Sequence, residues 1–496
     1  MKREINTILA QLKVVNIFHG LWHIALQWPT EEQTLATQDK SREALFSKFL
    51  QGDDEGEVCK KLRAYVSKHI GRASLDDTRG LVLDIMSAVD LAFSQIHPRK
   101  QSAGGVLRPK PVKGWLKEYR TLRRDAGSYM EGEADRVIPR GPLAKVARSK
   151  DAAYATNLED WFSFLSVVPI VYECRGRKIR TEVKVLNKSG VMGFSRDPEQ
   201  NDDVSVIPIA EASAELDIRC STRNSKHFAR YQSADPKAVV DRVLSILGVE
   251  DTQGPSISLA PELLVDTSTA DDIAARYGEI AHPPRLFVCG SGHTQEVKAG
   301  QAWNESRVIN IAGIELWRQR KIWPASMDGA TARTYKLTDP TPGHLHEDNC
   351  AGDKLVIADL DDLGRCLIMI CQDFEATSLA EVVIRCYQPD WVFVPILDRS
   401  VDVGRWGHSR AFNLSGLSQA RFIIVSSTAL YDRCKGGSSG KMSGAQACGL
   451  LVSPKVGEEE DSRVYRSLII PEEATQRTIR VSWKPKGKGW KKTTIS

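Results

Sequence analysis

The order of apolar and polar residues divides the chain into a helical first part and a second part in which strands and helices alternate. Residues 1 to about 97 carry apolar side chains at the spacing of a helix face, for example over 80–93. From about residue 203, short apolar runs that predict strands alternate with segments of helical spacing. This alternation predicts an α/β fold in which helices pack outside a large sheet.

The predicted strands and helices follow one another closely in the second part. Strands are predicted at 204–210, 256–260, 285–289, 308–312, 314–318, 355–359, 366–370, 391–396, 421–427, 449–452 and 466–470. One helix is predicted from Asp235-Pro236, an N-cap followed by a first-turn proline, to Gly248, and another over 270–279.

The chain is expected to contain more than one domain, because 496 residues exceed what a single hydrophobic core usually supports. Five segments are predicted. They are a helical N-terminal region at 1–97, a basic linker and helix at 98–130, a small α+β segment at 131–199, an α/β domain at 200–485 and a basic tail at 486–496.

Composition narrows the class of protein. Apolar residues make up 42% and charged residues 26% of the chain, which is ordinary for a globular protein. No run of about 18 apolar residues is present, so no membrane contact is expected. The first residues lack the pattern of a signal peptide, which predicts a cytoplasmic location. The ten cysteines form no CxxC pair and no His/Cys cluster at zinc spacing, so no metal site is expected.

Two segments are strongly basic, although the net charge of +5 is too small to imply a nucleic-acid partner. Residues 99–124 contain nine Lys/Arg and one acidic residue, with Trp115 and Tyr119 between them, and 484–492 contains five lysines. These segments could contact nucleic acid or an acidic partner, with the two aromatic rings as stacking surfaces. The simpler interpretations, which we expect, are a solvated basic helix for the first segment and a disordered tail for the second.

Three residues with catalytic chemistry follow predicted strands. Cys371 follows the apolar run 366–370, Glu262 follows 256–260, and Lys321 follows 314–318. Active sites of α/β folds form at the carboxyl ends of strands. A carboxylate can take the proton of a thiol, and an ammonium group can stabilise the negative charge that develops. The alternative is that Glu262 caps a helix, Lys321 is solvated and Cys371 only packs in the core.

These motifs resemble the carbon–nitrogen hydrolase, or nitrilase, superfamily. The resemblance rests on Leu259-Ala-Pro-Glu262, on the stretch from Gly313 to Lys321 and on Met369-Ile-Cys-Gln-Asp373, in that order. It covers about 200–485, and the stretches 389–395, 406–411 and 443–454 are similar to later motifs of the family. Glu347 is the candidate for a second glutamate that the family often places between Lys and Cys.

The resemblance implies a fold and a reaction. The fold would be an α-β-β-α sandwich, two stacked mixed sheets with outer helices, preceded here by the helical N-terminal region. The reaction would be hydrolysis of a non-peptide C–N bond in a small amide, carbamoyl compound or nitrile, through a thioester and without a metal or cofactor. Glu262 would be the base and Cys371 the nucleophile. Lys321 and N–H groups near Gln372 would stabilise negative charge, with Glu347 orienting Lys321 or the hydrolytic water.

The resemblance also implies a homo-oligomer, and it leaves a second function open. The 200 residues before the α/β domain are unusual for simple amidases of this family. The alternative is therefore a nitrilase-like effector or binding module, of the kind found in bacterial defence, whose N-terminal region senses a partner or nucleic acid.

Overall fold

The computed structural model describes most of the chain, in two compact units. The described residues are 1–29, 39–97, 112, 114–141, 158–186, 202–248, 257–337, 343–360, 363–375, 377–418, 420–434, 447–454, 463–469, 479–484 and 489–495. The first unit comprises 1–171 with 183–185 and 386–388. The second comprises 172–182, 186–385 and 389–496.

The first unit is mostly helical, as predicted. Its helices are α1 (Lys2–Ile8), α2 (Val14–Leu26), α3 (Lys40–Phe49), α4 (Glu55–His69), α5 (Leu75–Phe93) and α6 (Leu116–Ala126). α5 begins at a capping box in which the side chains of Ser74 and Asp77 each accept a backbone N–H of the other residue. A three-stranded antiparallel sheet completes the unit, with β1 (Met130–Glu131), β2 (Asp135–Pro139) and β3 (Leu165–Pro169).

The aromatic residues of the basic segment belong to the core of this unit. Trp115 is 8% and Tyr119 1% exposed, and both rings pack against Phe93. The Tyr119 hydroxyl donates a hydrogen bond to Glu55 at 2.6 Å. The suggestion that these rings are stacking surfaces for nucleic acid is therefore wrong, because Tyr119 on α6 and Trp115 directly before it both pack in the core. Residues 98–111 of the segment lie outside the described residues.

The second unit contains a first large sheet of eight strands. Its order is β11-β12-β10-β9-β6-β22-β23, with β13 paired to β12. The strands are β6 (Asp202–Val206), β9 (Ile257–Leu259), β10 (Leu286–Val288), β11 (Gly292–Lys298), β12 (Gln301–Asn310), β13 (Glu315–Arg320), β22 (Ile479–Lys484) and β23 (Gly489–Ile495). Helices α7 (Pro236–Gly248) and α8 (Thr267–Arg276) cover this sheet, and their apolar residues share one core with Phe287 and Ile309.

A second large sheet has the order β21-β20-β19-β18-β17-β16-β5-β4. Its strands are β4 (Val171–Cys174), β5 (Arg177–Leu186), β16 (Lys354–Leu360), β17 (Gly364–Ile368), β18 (Trp391–Ile396), β19 (Arg421–Ser426), β20 (Ala447–Pro454) and β21 (Arg463–Ile469). Strands β17, β18 and β19 are parallel, and their neighbours are antiparallel. The helices that follow these strands are α10 (Gln372–Glu375), α11 (Thr377–Tyr387), α12 (Trp406–Ser418) and α13 (Ala429–Cys434).

The two large sheets lie face to face. A Cβ atom placed on Gly449 of β20 would lie 3.4 Å from Val206 Cγ2 of β6. Because helices α7 and α8 cover the first sheet and α12 packs on β19 and β20 of the second, the layers follow the order α-β-β-α. The predicted fold class, with two mixed sheets, outer helices and a helical N-terminal region, is confirmed.

A third, four-stranded sheet in the second unit has the order β14-β15-β8-β7. It comprises β7 (Leu216–Arg223), β8 (Lys226–Ser233), β14 (Ser326–Asp328) and β15 (His344–Glu347), and helix α9 (Gly329–Thr334) follows β14. The expectation of a disordered tail is wrong for its described part, because β23 pairs with β22 in an antiparallel ladder. Among the helices of the described residues, none combines the length and the apolar character that crossing a membrane requires.

Candidate active site

Cys371 occupies a strained turn between a strand and a helix. β17 ends at Ile368, and α10 begins at Gln372. Cys371 has a φ of 45°, in the left-handed region that side chains other than Gly rarely adopt. Its carbonyl accepts the Phe374 N–H at 2.9 Å. Strained residues of this kind cluster at functional sites, and the turn leaves Cys371 partly exposed.

The end of β18 fixes both Cys371 and Glu262. The carbonyl of Pro395 accepts the Cys371 N–H at 3.0 Å, and the carbonyl of Ile396 accepts the Glu262 N–H at 3.3 Å. The Leu397 N–H then donates to Glu262 Oε2 at 2.9 Å. The end of β18 therefore holds Cys371, which follows the neighbouring strand β17, beside Glu262, which follows β9 of the first sheet.

Lys321 lies between two carboxylates in the interior. Its Nζ is 2.7 Å from Glu262 Oε1, and it also donates a short hydrogen bond to Glu347 Oε2. Glu262 and Lys321 are each 1% exposed and Glu347 is 5% exposed. The structure therefore brings three of the predicted residues together, and the charge of Glu262 acts on the Cys371 thiol, whose pKa it raises.

Asn304 is a member of this cluster that the sequence analysis missed. Its Nδ2 donates to Glu262 Oε1 and to Glu347 Oε1, both at 3.0 Å, and its carbonyl accepts the Lys321 N–H at 2.8 Å. Asn304 lies in β12, where nearly every residue is buried, so no alternation of polar and apolar residues marks it. A fully buried amide in a strand is the signal, but the sequence alone does not show the burial.

Asp373 joins the segment of Cys371 to the segment of Lys321. Its carboxylate accepts the N–H groups of Ile322 at 3.0 Å and of Trp323 at 2.8 Å. Burial raises the pKa of Asp373 to about 7, against the lowering effect of these hydrogen bonds. Asp373 therefore holds the backbone directly after Lys321 and so helps to position that lysine.

The charges of the cluster favour a protonated lysine and a basic carboxylate. Burial alone would lower the pKa of Lys321, but the carboxylates of Glu262 and Glu347 raise it well above its usual value. The pKa of Glu262 is raised, first by burial and then by the charge of Glu347, because one ammonium group cannot neutralise two carboxylates. Burial and the Glu262 charge also raise the pKa of Cys371 well above its usual value, so the resting thiol is protonated.

The alternative roles of Lys321 and Glu262, a solvated lysine and a helix cap, do not fit this geometry. Lys321 is buried and paired rather than solvated. The helix after Glu262 is capped by Asp266, whose side chain accepts the Thr269 N–H. Gln372, by contrast, directs its side-chain amide to Glu375 at 2.8 Å, away from the carboxylate cluster.

The comparisons with known proteins find similar proteins among the solved structures but not in the other two searches. No protein-family model matches the chain, and no curated protein matches it. Saccharomyces cerevisiae Nit3, a member of branch 10 of the nitrilase superfamily, is 13% identical, with a TM-score of 0.34 over 54% of this chain and 90% of Nit3. A Nesterenkonia amidase from the same superfamily is 12% identical, with a TM-score of 0.33 over 55% of this chain and 91% of the amidase.

A glutamine-dependent NAD⁺ synthetase from Acinetobacter baumannii is 11% identical, with a TM-score of 0.37 over 60% of this chain and 48% of the synthetase. Nit3 and the amidase belong to the superfamily that the sequence motifs resemble. At these identities and scores, the chemistry of the site rests on the residues of this chain.

Proposed function

We propose that the second unit is a cysteine-dependent hydrolase of non-peptide C–N bonds, with Glu262, Lys321 and Cys371 as its catalytic triad. The observation that supports this most directly is the buried ammonium of Lys321 between two carboxylates, one of which belongs to Glu262, whose backbone is held beside that of Cys371 by the end of β18. Burying three charges is unfavourable unless they are paired, so such a cluster indicates chemistry more than stability.

The first half of the reaction makes a thioester. Glu262 takes the proton of the Cys371 thiol while the sulfur adds to the carbonyl carbon of an amide. The resulting oxyanion needs hydrogen-bond donors. An ammonium group has three N–H donors, and Glu262 and Glu347 accept two of those of Lys321. The third is free to bind the oxyanion, together with backbone N–H groups near Gln372.

The intermediate then collapses with loss of the amine. The C–N bond breaks, and Glu262 returns its proton to the leaving nitrogen, so ammonia or an amine departs and the acyl group stays on Cys371. The direction of the Glu262 shift suits this role, because a raised pKa makes the carboxylate a stronger proton acceptor in the first step, and the proton that it then holds can pass to the leaving nitrogen.

The second half of the reaction regenerates the thiol. Glu262 takes a proton from a water molecule that adds to the thioester carbon. The C–S bond then breaks, the carboxylic acid leaves, and the sulfur recovers its proton from Glu262. Glu347 contributes by orienting Lys321, since its carboxylate is itself fixed by the Ala325 N–H at 2.8 Å and by Asn349 at 3.0 Å. Glu347 therefore acts as a positioning residue.

The test measures amide hydrolysis and alkylation of the Cys371 thiol in the Glu262→Gln variant. Hydrolysis of small primary amides should fall about 1000-fold, because no group takes the proton of the thiol or of the water. Alkylation of Cys371 by iodoacetamide at pH 7 should slow as well, because the protonated thiol must lose its proton before the sulfur attacks and Glu262 is the group that takes it.

Glu375→Gln is the matched control, since Glu375 is an exposed glutamate that bonds Gln372 beside the thiol. This variant should keep both activities. Undiminished hydrolysis in Glu262→Gln would overturn the role of Glu262 as the base. Alkylation that continues at the wild-type rate would show that the Cys371 thiol loses its proton without Glu262, contrary to the role proposed here.

A small amide, carbamoyl compound or nitrile is the expected substrate, and a homo-oligomer stays a prediction. Because Trp115 and Tyr119 are buried, their rings do not support the alternative function of a nucleic-acid-binding module. Contact between the basic segments and nucleic acid would then rest on charge alone.

A further inference from the structure

The first unit contains a second cluster of side chains with metal-ligand chemistry, distant in sequence from the catalytic triad. His19 and His23 lie on α2, four residues apart, so their rings project from the same face of the helix. Asp135, 116 residues beyond His19, begins β2. No metal site is expected from the sequence, because Asp135 is too far along the chain from the two histidines to form a recognisable ligand motif with them.

The ligand atoms of these residues converge on one point. His19 Nε2 lies 2.5 Å from Asp135 Oδ1, and His23 Nε2 lies 2.7 Å from Asp135 Oδ2. The two Nε2 atoms are 3.2 Å apart. Each imidazole can donate one N–H to an oxygen of Asp135, but the two nitrogens then face each other at 3.2 Å. One cation can instead bind both nitrogens and the carboxylate.

The spacing agrees with the size of a zinc coordination shell. Zn–N bonds of 2.0–2.1 Å at tetrahedral angles place two nitrogen ligands about 3.3 Å apart. The observed 3.2 Å between the imidazole nitrogens matches that edge. The carboxylate lies closer than a zinc ligand would, and a movement of about 0.6–0.8 Å would bring its oxygens to the same spacing.

The surroundings allow a cation to enter and to complete its coordination. The side chains of His19, His23 and Asp135 are 21%, 46% and 14% exposed, so the cluster is reached from solvent. His19 also lines a cavity with Asn16 and Glu131, whose side-chain oxygens are further possible ligands. Two imidazoles and one carboxylate leave open positions that water or these oxygens can fill.

We propose that His19, His23 and Asp135 form a binding site for a divalent transition-metal ion, with Zn²⁺ as the expected occupant. The bound ion would join α2 to β2 and stabilise the first unit, because binding to the folded state alone shifts the unfolding equilibrium. This site is independent of the proposed hydrolase reaction and uses none of its residues.

The test measures metal binding and not catalysis. The full chain with Cys371→Ala, which removes the catalytic thiol as a metal ligand, is freed of metal with a chelator and titrated with zinc chloride by calorimetry. We expect one tight equivalent and a higher midpoint of thermal unfolding. Cobalt chloride should give the visible spectrum of nitrogen and oxygen ligands, without the charge-transfer band of a thiolate.

Variants of the ligands decide between this site and other zinc-binding groups. His23→Ala and the closer mimic Asp135→Asn should each weaken zinc binding roughly 100-fold and abolish the thermal shift, while His282→Ala, at an exposed histidine elsewhere, should change neither. Circular dichroism without metal checks that the variants fold. Absence of tight zinc binding in the parent protein, equal binding in Asp135→Asn, or a thiolate spectrum with cobalt would each overturn the proposal.

Discussion

Asn304 Nδ2 lies 3.0 Å from Glu262 Oε1, and its second N–H donates to Glu347 at the same distance. An asparagine amide has two N–H donors, and here both go to buried carboxylates. Asn304 thus sets the separation of the two glutamates that bind Lys321. A residue with no chemistry of its own therefore positions the base of the proposed reaction.

The first prediction concerns this amide. Asn304→Leu keeps the approximate volume but removes both donors, so Glu262 loses a hydrogen bond that favours its charged form. We expect a fall of about 100-fold in kcat. The acidic limb of the kcat–pH profile should move to higher pH, because the pKa of Glu262 rises when a donor to its carboxylate is lost.

Asn349→Leu is the control, because Asn349 donates to Glu347 and not to Glu262. Asn349→Leu should lower kcat less than Asn304→Leu does, and it should leave the acidic limb of the kcat–pH profile at the wild-type pH. Identical profiles for the two variants would contradict a specific role of Asn304 at Glu262.

The second prediction concerns the buried cation. Lys321→Met leaves Glu262 and Glu347 facing each other without a counter-ion. The free energy of unfolding at pH 7 should fall by about 3–5 kcal/mol, as it does when one partner of a buried pair is removed. This loss of unfolding free energy should become smaller as the pH falls, because the unpaired carboxylates take up protons in the folded state.

Lys354→Met provides the comparison for Lys321→Met. Lys354 forms a 2.7 Å pair with Glu182, but the two side chains are 51% and 35% exposed. Its loss should change stability by less than about 1 kcal/mol. Urea denaturation of both variants measures the difference, and equal losses would show that burial does not decide the energy of the Lys321 cluster.

The sequence predicted much of the second unit because strands and helices there leave short-range signals. Glu262, Lys321 and Cys371 each follow a predicted strand, and their order along the chain is part of the resemblance of their motifs. Asn304 and Asp135 left no such signal. Their roles depend on which strands become neighbours, and that is decided by packing between segments far apart in the chain.

The third prediction is a pH dependence of stability due to Asp373. Burial raises its folded-state pKa to about 7, above the usual value of 3.8 in the unfolded chain. A raised carboxyl pKa means that its contribution to stability is fully present below about pH 4 and is lost as the pH rises through 7. The loss amounts to at most about 1.4 kcal/mol per pH unit within this window.

Asp373→Asn mimics the protonated carboxyl and does not titrate. Relative to this variant, the wild type should lose stability between pH 5 and pH 8, measured by urea denaturation at both values. Other buried acids titrate in both proteins, so their effects cancel in the comparison. A constant difference between the two proteins across this range would contradict a raised pKa for Asp373.

The fourth prediction concerns the turn that supports Glu262. Gly290 has a φ of 71°, and a Cβ atom there would lie 2.0 Å from the Pro261 carbonyl oxygen. That carbonyl accepts the Ser291 N–H at 3.2 Å, directly before Glu262. Gly290→Ala should therefore displace Pro261 and Glu262 and lower both stability and kcat, the latter by about 100-fold.

Gly300→Ala separates steric crowding from backbone strain. Gly300 has a φ of 79°, but no heavy atom lies within 4 Å of a Cβ placed there. Its substitution should cost about 1–2 kcal/mol of stability from the left-handed backbone alone and leave kcat unchanged. Thermal unfolding and amide hydrolysis of the two variants test this, and equal kcat values would show that Gly290 does not position Glu262.

The central claim is that Cys371 carries the acyl group during hydrolysis of a small amide. The most direct measurement incubates the protein with a panel of small primary amides, follows ammonia release, and identifies acylated residues by mass spectrometry after acid quenching. We predict a thioester on Cys371, no acylation of the other nine cysteines, and no ammonia release from Cys371→Ala. Ammonia release that persists in Cys371→Ala, or turnover with an acyl group on another residue, would contradict the account.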